Sequence, residues 1–141
     1  MAITQAVCSS FKEDLLSGLQ NFASGGDSYK IALYTSSATL DSSTTAYTSS
    51  NETSGTGYTA GGLTLTSQSV TLSGTTAYID FADASWTSST ISAAGALIYN
   101  TTNSNKAVCV LNFGGTYSST NGTFTVQFPA PTTTTALLIL N

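Results

Sequence analysis

Acid–base catalysis is the first chemistry to look for in this chain, and Asp80 and Asp83, in the run DFAD, are the carboxylates whose spacing suggests it. The other acidic residues are Glu13, Asp14, Asp27, Asp41 and Glu52. Histidine is absent, which removes the commonest general base and the usual nucleophile triad. A glycosidase needs two carboxylates facing each other across a sugar. Asp80 and Asp83 lie three apart at or just past a strand end, where they point in opposite directions, so no catalytic residue is assigned. Asp83 is left as a turn cap before Ser85, a weak calcium ligand with loop carbonyls, or part of a solvated strand edge.

The two cysteines, Cys8 and Cys109, stand far apart and have neither a CxxC partner nor a histidine, so zinc and redox roles find no support. They are read as free, buried thiols acting as small hydrophobes. The glycine-containing stretch SGTGYTAGG (Ser54 to Gly62) lacks the GK[ST] ending of a phosphate loop and leads into a strand. It is read as a turn or bulge with positive φ at Gly61 or Gly62. Three Asn-x-Thr matches, at Asn51, Asn100 and Asn121, are expected by chance in so Asn- and Thr-rich a chain. Tyr47, Tyr58, Tyr99, Tyr117 and Trp86 suggest a sugar-stacking platform, but such rings more often serve a core or a subunit interface, and that reading is taken. No cofactor or metal is implied.

The elements that position these residues are β-rich. The chain has 141 residues, the size of one domain, with 40% hydrophobic and only 7% charged residues, and roughly a third of it is Ser or Thr. Low charge with plentiful aromatics argues for a folded β protein rather than a disordered one. Three scattered lysines (Lys12, Lys30, Lys106) and a formal charge of −4 exclude a phosphate-binding stripe, so no nucleic-acid partner is expected. No run is long enough to span a bilayer, and MAITQAVCSSFKEDLL lacks the basic and apolar regions of a secretory signal. The product is therefore expected to fold in the cytoplasm where it is made. A weakly charged Ser/Thr surface in that compartment suits a protein packed against neighbours in a dense assembly.

Helical spacing of Val7, Phe11, Leu15, Leu19 and Phe22 predicts a helix over 4–22, N-capped by Thr4 and stopped at Ser24-Gly25-Gly26-Asp27. Period-two alternation predicts strands at Tyr29–Tyr34, Leu63–Thr66, Ser69–Leu72, Ala77–Phe81 and Thr123–Phe128. Ser73-Gly74 is read as a turn and Trp86 as part of a Ser-rich connection. Gly95–Tyr99 and Ala107–Phe113 are apolar on both parities, as in fully covered strands joined by a hairpin loop at Asn100–Lys106. A terminal strand covers Ala136–Leu140, and residues 35–57 read as a polar arm. The fold expected is mainly β: a β-sandwich or jelly-roll-like single domain over 1–141, with one N-terminal α-helix (4–22) and the sandwich over 29–140.

Five strings then stand out together: SSFKEDLLSGLQNF (Ser9 to Phe22), YKIALYTSSATL (Tyr29 to Leu40), SGTGYTAGGLTL (Ser54 to Leu65), ISAAGALIYN (Ile91 to Asn100) and NKAVCVLNFGG (Asn105 to Gly115). In that order they resemble a family of small virion proteins encoded among the structural genes of tailed bacteriophages, cyanophages among them. The resemblance implies a non-enzymatic structural protein, assembled in the host cytoplasm and located in the virion. Its preferred place is the head, as a decoration or cement protein whose partners are the major capsid protein and copies of itself, a homotrimer being the expected oligomer. A tail, neck or baseplate component, and a receptor- or glycan-binding module, are the alternatives. The residues expected at an interface are Val7, Phe11, Leu15, Leu19, Tyr47, Tyr58, Trp86, Leu138 and Leu140, the helix stripe serving either the core or the oligomer contact.

Overall fold

A computed structural model of the chain describes residues 2–140. Its elements, in order, are β1 (Ala6–Val7), α1 (Ser9–Leu16), β2 (Tyr29–Tyr34), β3 (Leu63–Thr64), β4 (Ser69–Ser73), β5 (Thr76–Asp80), β6 (Ala84–Asn100), β7 (Lys106–Val126) and β8 (Leu138–Leu140). They form a five-stranded sheet, β1-β7-β6-β2-β3, and a three-stranded sheet, β4-β5-β8, with every pairing antiparallel. The protein is mainly β with one short helix, as its composition predicts.

The centre is the hairpin of β6 and β7, strands of 17 and 21 residues. Every residue from Ala93 to Asn100 is buried, because β6 has bonded neighbours on both sides and layers over both faces. This is why the segment is apolar on both parities. Ile31, Leu33, Leu97, Ile98, Val108 and Val110 are fully buried, each stabilising the fold by roughly 1.5–3 kcal/mol. The sequence segments the hairpin into shorter strands because irregularities interrupt its alternation. Between Ala93↔Tyr117 and Gly95↔Asn112 the register jumps, so that Phe113-Gly114-Gly115-Thr116 bulges from β7, with Gly114 at φ +81°. A second bulge, with Ser88 at φ +49°, puts Trp86 inside β6 rather than in a connection.

The two faces of the large sheet are covered differently. On the Ile31 face, Tyr29 stacks on Phe22 with centroids 4.4 Å apart, and both rings meet Phe81 edge-on. Phe11 adds a further edge contact to Phe22 at 5.8 Å. The helix and the segment after it therefore meet, over this face, the chain leaving the small sheet. The Tyr34 face is covered by residues 35–62. That segment bridges Leu40 to Ile3, Ala46 to Lys106, Glu52 to Tyr34 and Thr56 to Thr90.

Two expectations change here. Residues 35–57 are not a projecting arm: Ala38, Leu40 and Thr53 are buried, and the segment is hydrogen-bonded to both borders of the sheet. Its polarity misled because backbone pairing and a few small apolar side chains, not bulk, hold it down. The helix is also shorter than 4–22. Ala6–Val7 pairs with Val110–Cys109, which removes the first turn, and Cys8, not Thr4, occupies the N-cap without a side-chain bond. The far end closes at Gly18 (φ +76°), where Leu19 N–H bonds to Asp14 C=O and Gly18 N–H to Leu15 C=O, a Schellman stop. The apolar stripe continues past this stop only because Phe22 folds back onto Phe11.

Among the described residues no helix is long and apolar enough to cross a membrane. Gly61 and Gly62 both take positive φ, +96° and +83°. At Gly62 a Cβ would overlap the Ile31 carbonyl, which faces it across the β2–β3 pairing. Gly25 has similar φ (+80°) but open space around it. Gly25→Ala should therefore cost only the left-handed strain, about 1–2 kcal/mol, and Gly62→Ala about 3 kcal/mol or more. Urea unfolding midpoints check this, and equal losses at the two positions would contradict it.

Candidate functional site

Asp80 and Asp83 do not converge. Asp80 ends β5 opposite Ser69. Asp83 precedes β6, and its Oδ1 accepts the Phe128 N–H at 2.9 Å, tying the entry of β6 to the exit of β7. It thus acts as a cap, but for the chain after β7 rather than for a turn before Ser85.

The most organised polar cluster centres on Glu52, which the sequence does not single out. Glu52 Oε1 accepts the Tyr47 hydroxyl at 2.6 Å. Its Oε2 accepts the Tyr58 hydroxyl at 2.6 Å and the Gly61 N–H at 2.7 Å. The Tyr58 oxygen accepts in turn the Leu33 N–H at 3.0 Å, and the Tyr99 hydroxyl donates to the Gly61 carbonyl at 2.7 Å. Tyr47 stacks on Tyr99, with centroids 4.8 Å apart. One carboxylate thereby gathers residues 47–61, which in turn bond to β2 through Leu33 and to β6 through Tyr99. Both its oxygens are engaged, so its chemistry is that of a charge-assisted acceptor. Burial, followed by the bond to Glu52, holds the Tyr47 and Tyr58 phenols well above the ordinary tyrosine range. Burial and then the Glu52 charge also raise Tyr34, and push Tyr99 up to about 12.

A second cluster surrounds Asn100, which is fully buried. Its Nδ2 donates to Gln20 Oε1 and Asp27 Oδ2, each at 2.9 Å, and its Oδ1 accepts the N–H groups of Thr102 and Asn103. Asn103 Nδ2 reaches Asp27 Oδ2 and the Leu19 carbonyl. The network closes the β6–β7 hairpin loop onto the segment after the helix. Asp14, buried on α1, faces Lys106 Nζ at 3.8 Å. Cys8 and Cys109 are free and buried. Burial, with the Asp41 carboxylate behind it, pushes Cys8 up to about 11, and burial next to Cys8 pushes Cys109 to about 12, so both stay as unreactive thiols at neutral pH. Among the described residues no group of three or more His, Cys, Asp or Glu side chains is placed to hold a metal ion.

The residues expected at an interface divide sharply. Phe11 and Trp86 are buried in the chain's own core, Trp86 against Tyr58 and Phe124, so their rings are not available to a partner. Val7, Leu15, Tyr47, Tyr58 and Leu138 are half-buried and pack on that core. Leu19 and Leu140 are exposed. The core placement of Tyr47, Tyr58, Tyr99 and Trp86 takes away the sugar-stacking platform and leaves Tyr117 as the exposed ring of that set. Sequence reasoning passed over Val70 (52% exposed) and Leu72 (72% exposed), both on β4, because their alternation with Ser and Thr looks like an ordinary half-buried strand. An open groove of about 610 Å³ runs along β7 towards the C-terminal segment, past Leu111, Phe113, Phe124, Pro129 and Leu137, and among the described residues no charged side chain lines it.

Comparisons with protein-family models, curated proteins and solved structures return no match to this chain.

Two outcomes follow from the clasp. Glu52→Gln keeps the shape but loses the charge-assisted acceptor, and should lower the unfolding free energy at neutral pH by about 1–3 kcal/mol. A change within error in denaturant unfolding would contradict it. The raised phenols and thiols also set a pH dependence. In the unfolded chain these groups titrate near 8.5–10, so the folded state holds their protons more tightly. Their stabilisation is complete below about pH 8.5 and is lost as pH rises through and beyond 10. Urea midpoints should fall steadily over that alkaline window; a flat midpoint would contradict the burial of these groups.

Proposed function

We propose that this chain is a non-enzymatic structural protein of a tailed-phage virion, acting as a head decoration or cement protein that bridges capsid subunits. One contrast carries the reading. The polar groups best arranged for chemistry, Glu52, Asp83 and Asn100, are engaged in holding the fold, while the exposed β4 edge and the β7 groove carry no charge. Such surfaces suit packing against other protein, and the resemblance of the five strings to phage structural proteins supplies the setting. Affinity on a symmetric shell comes from many equivalent placements rather than from one tight contact. Since residues 35–57 pack on the body, contacts with capsid subunits fall to the sheet borders and groove.

The purified chain, added to phage heads that lack it, should bind saturably at a fixed number of copies per particle. It should also raise the temperature at which the heads release DNA. Binding to isolated tails and not to heads would overturn the head assignment in favour of a tail, neck or baseplate component. Binding to neither would overturn the virion reading itself.

A further inference from the structure

We infer that two copies of this chain join edge to edge through β4, as an antiparallel pair about a two-fold axis at Thr71. The inference deepens the assembly reading and rests on it for its setting, but its geometry comes from β4 alone. In the three-stranded sheet β4 is the border strand, with β5 on its one bonded side, and all five of its residues are exposed. Monomeric proteins protect such borders with lysine, proline, bulges or covering loops. The β4 sequence, SVTLS, has no charge and no proline, and its pairing with β5 is unbroken by a bulge.

The hydrogen-bond parity fits self-pairing. Ser73 and Thr76 close a two-residue turn in which Gly74 has φ +60°, the glycine position of a type II′ hairpin. In such a hairpin the closing pair exchanges both backbone bonds, so Ser73, Thr71 and Ser69 direct theirs to β5. Val70 and Leu72 then present their N–H and C=O groups outward. A two-fold axis at Thr71 sets Val70 against Leu72 of the second copy, and Leu72 against its Val70. The outward groups of each copy meet those of the other, and no donor faces a donor.

The side chains agree with that register. Val70 pairs with Ile79 and Leu72 with Ala77, and these continue to Leu138 and Leu140 on β8, so one face of the small sheet is apolar across all three strands. Exposure of Val70, Leu72 and Leu140 shows that this face is only partly covered within one copy. Two-fold pairing extends it into a six-stranded sheet in which each exposed Val70 lies beside a Leu72. The formal charge of −4 does not oppose the approach. Asp80, the nearest carboxylate along the sheet, sits one strand in, opposite Ser69, and so on the other face from Val70 and Leu72. In this register no carboxylate opposes another. The second copy is thus a better match than a basic partner, for which β4 offers no charge.

The test uses Thr71→Cys in the full chain, oxidised with glutathione disulfide and followed on a non-reducing gel. Thr71 would face its counterpart as a non-hydrogen-bonded pair, with Cα atoms about 4.5 Å apart, within disulfide reach. Covalent dimer should form at least about tenfold faster than for Thr75→Cys, an exposed position near the same strand's end that the two-fold axis keeps far from its mate. Adding V70K/L72K to the Thr71→Cys chain sets lysines of the two copies against each other and should abolish the dimer. Both replaced side chains are exposed, so an unchanged circular dichroism spectrum accompanies that loss. Equal rates for Thr71→Cys and Thr75→Cys, or a dimer that persists with V70K/L72K, would overturn the edge pairing. Because the assay uses purified chain, that outcome leaves the head-binding result standing; failure to bind heads with a positive dimer would instead remove the virion reading alone.

Discussion

The long β6–β7 hairpin is the constraint on which the rest depends. From Ala93 to Asn100, β6 is buried along its whole length and carries β2 on one side and β7 on the other. A strand buried on both faces must have a layer above and a layer below. The chain supplies one from the aromatic group around Phe22, Tyr29 and Phe81, and the other from the 35–62 segment. The second layer is mostly Ser, Thr and Tyr, so its burial yields little apolar gain. Glu52 helps to hold this layer down, since one carboxylate satisfies three donors that would otherwise bond to water.

This division explains what could be read from the sequence. The β-rich class, the hairpin around Asn100–Lys106, the turn at Ser73-Gly74 and positive φ at Gly61 and Gly62 were all legible, because each rests on local composition or period. The full length of β6 and β7 was not. Bulges at Thr87-Ser88 and at Phe113–Thr116 shift the alternation, and a shifted period reads as a strand end. The helix was overextended because Phe22 fits the apolar stripe while belonging to a loop that folds back. Glu52 gave no signal. Its role depends on Tyr47, Tyr58 and Gly61 arriving together, and spacing in a loop does not report such convergence.

The same physics shapes the surface. With 7% charged residues, the chain places several of its carboxylates in structural contacts: Glu52 in the clasp, Asp27 in the Asn100 network, Asp14 beside Lys106 and Asp83 on the Phe128 amide. What remains outside is largely hydroxyl-rich strand with aliphatic points at Leu16, Val70, Leu72 and Leu140. A free monomer gains solubility from charge and protected sheet borders. This chain has few charges and an unprotected border on β4, which is consistent with a life spent against other protein.

The central claim, that the chain works as a packed component of a phage head, is tested most directly by cryo-electron microscopy of intact particles that contain it. The account predicts density for this β-body in regular copies on the shell, touching capsid subunits through its sheet borders, with residues 35–57 folded on its own body. Density confined to the tail or neck, or none in the particle, would contradict it.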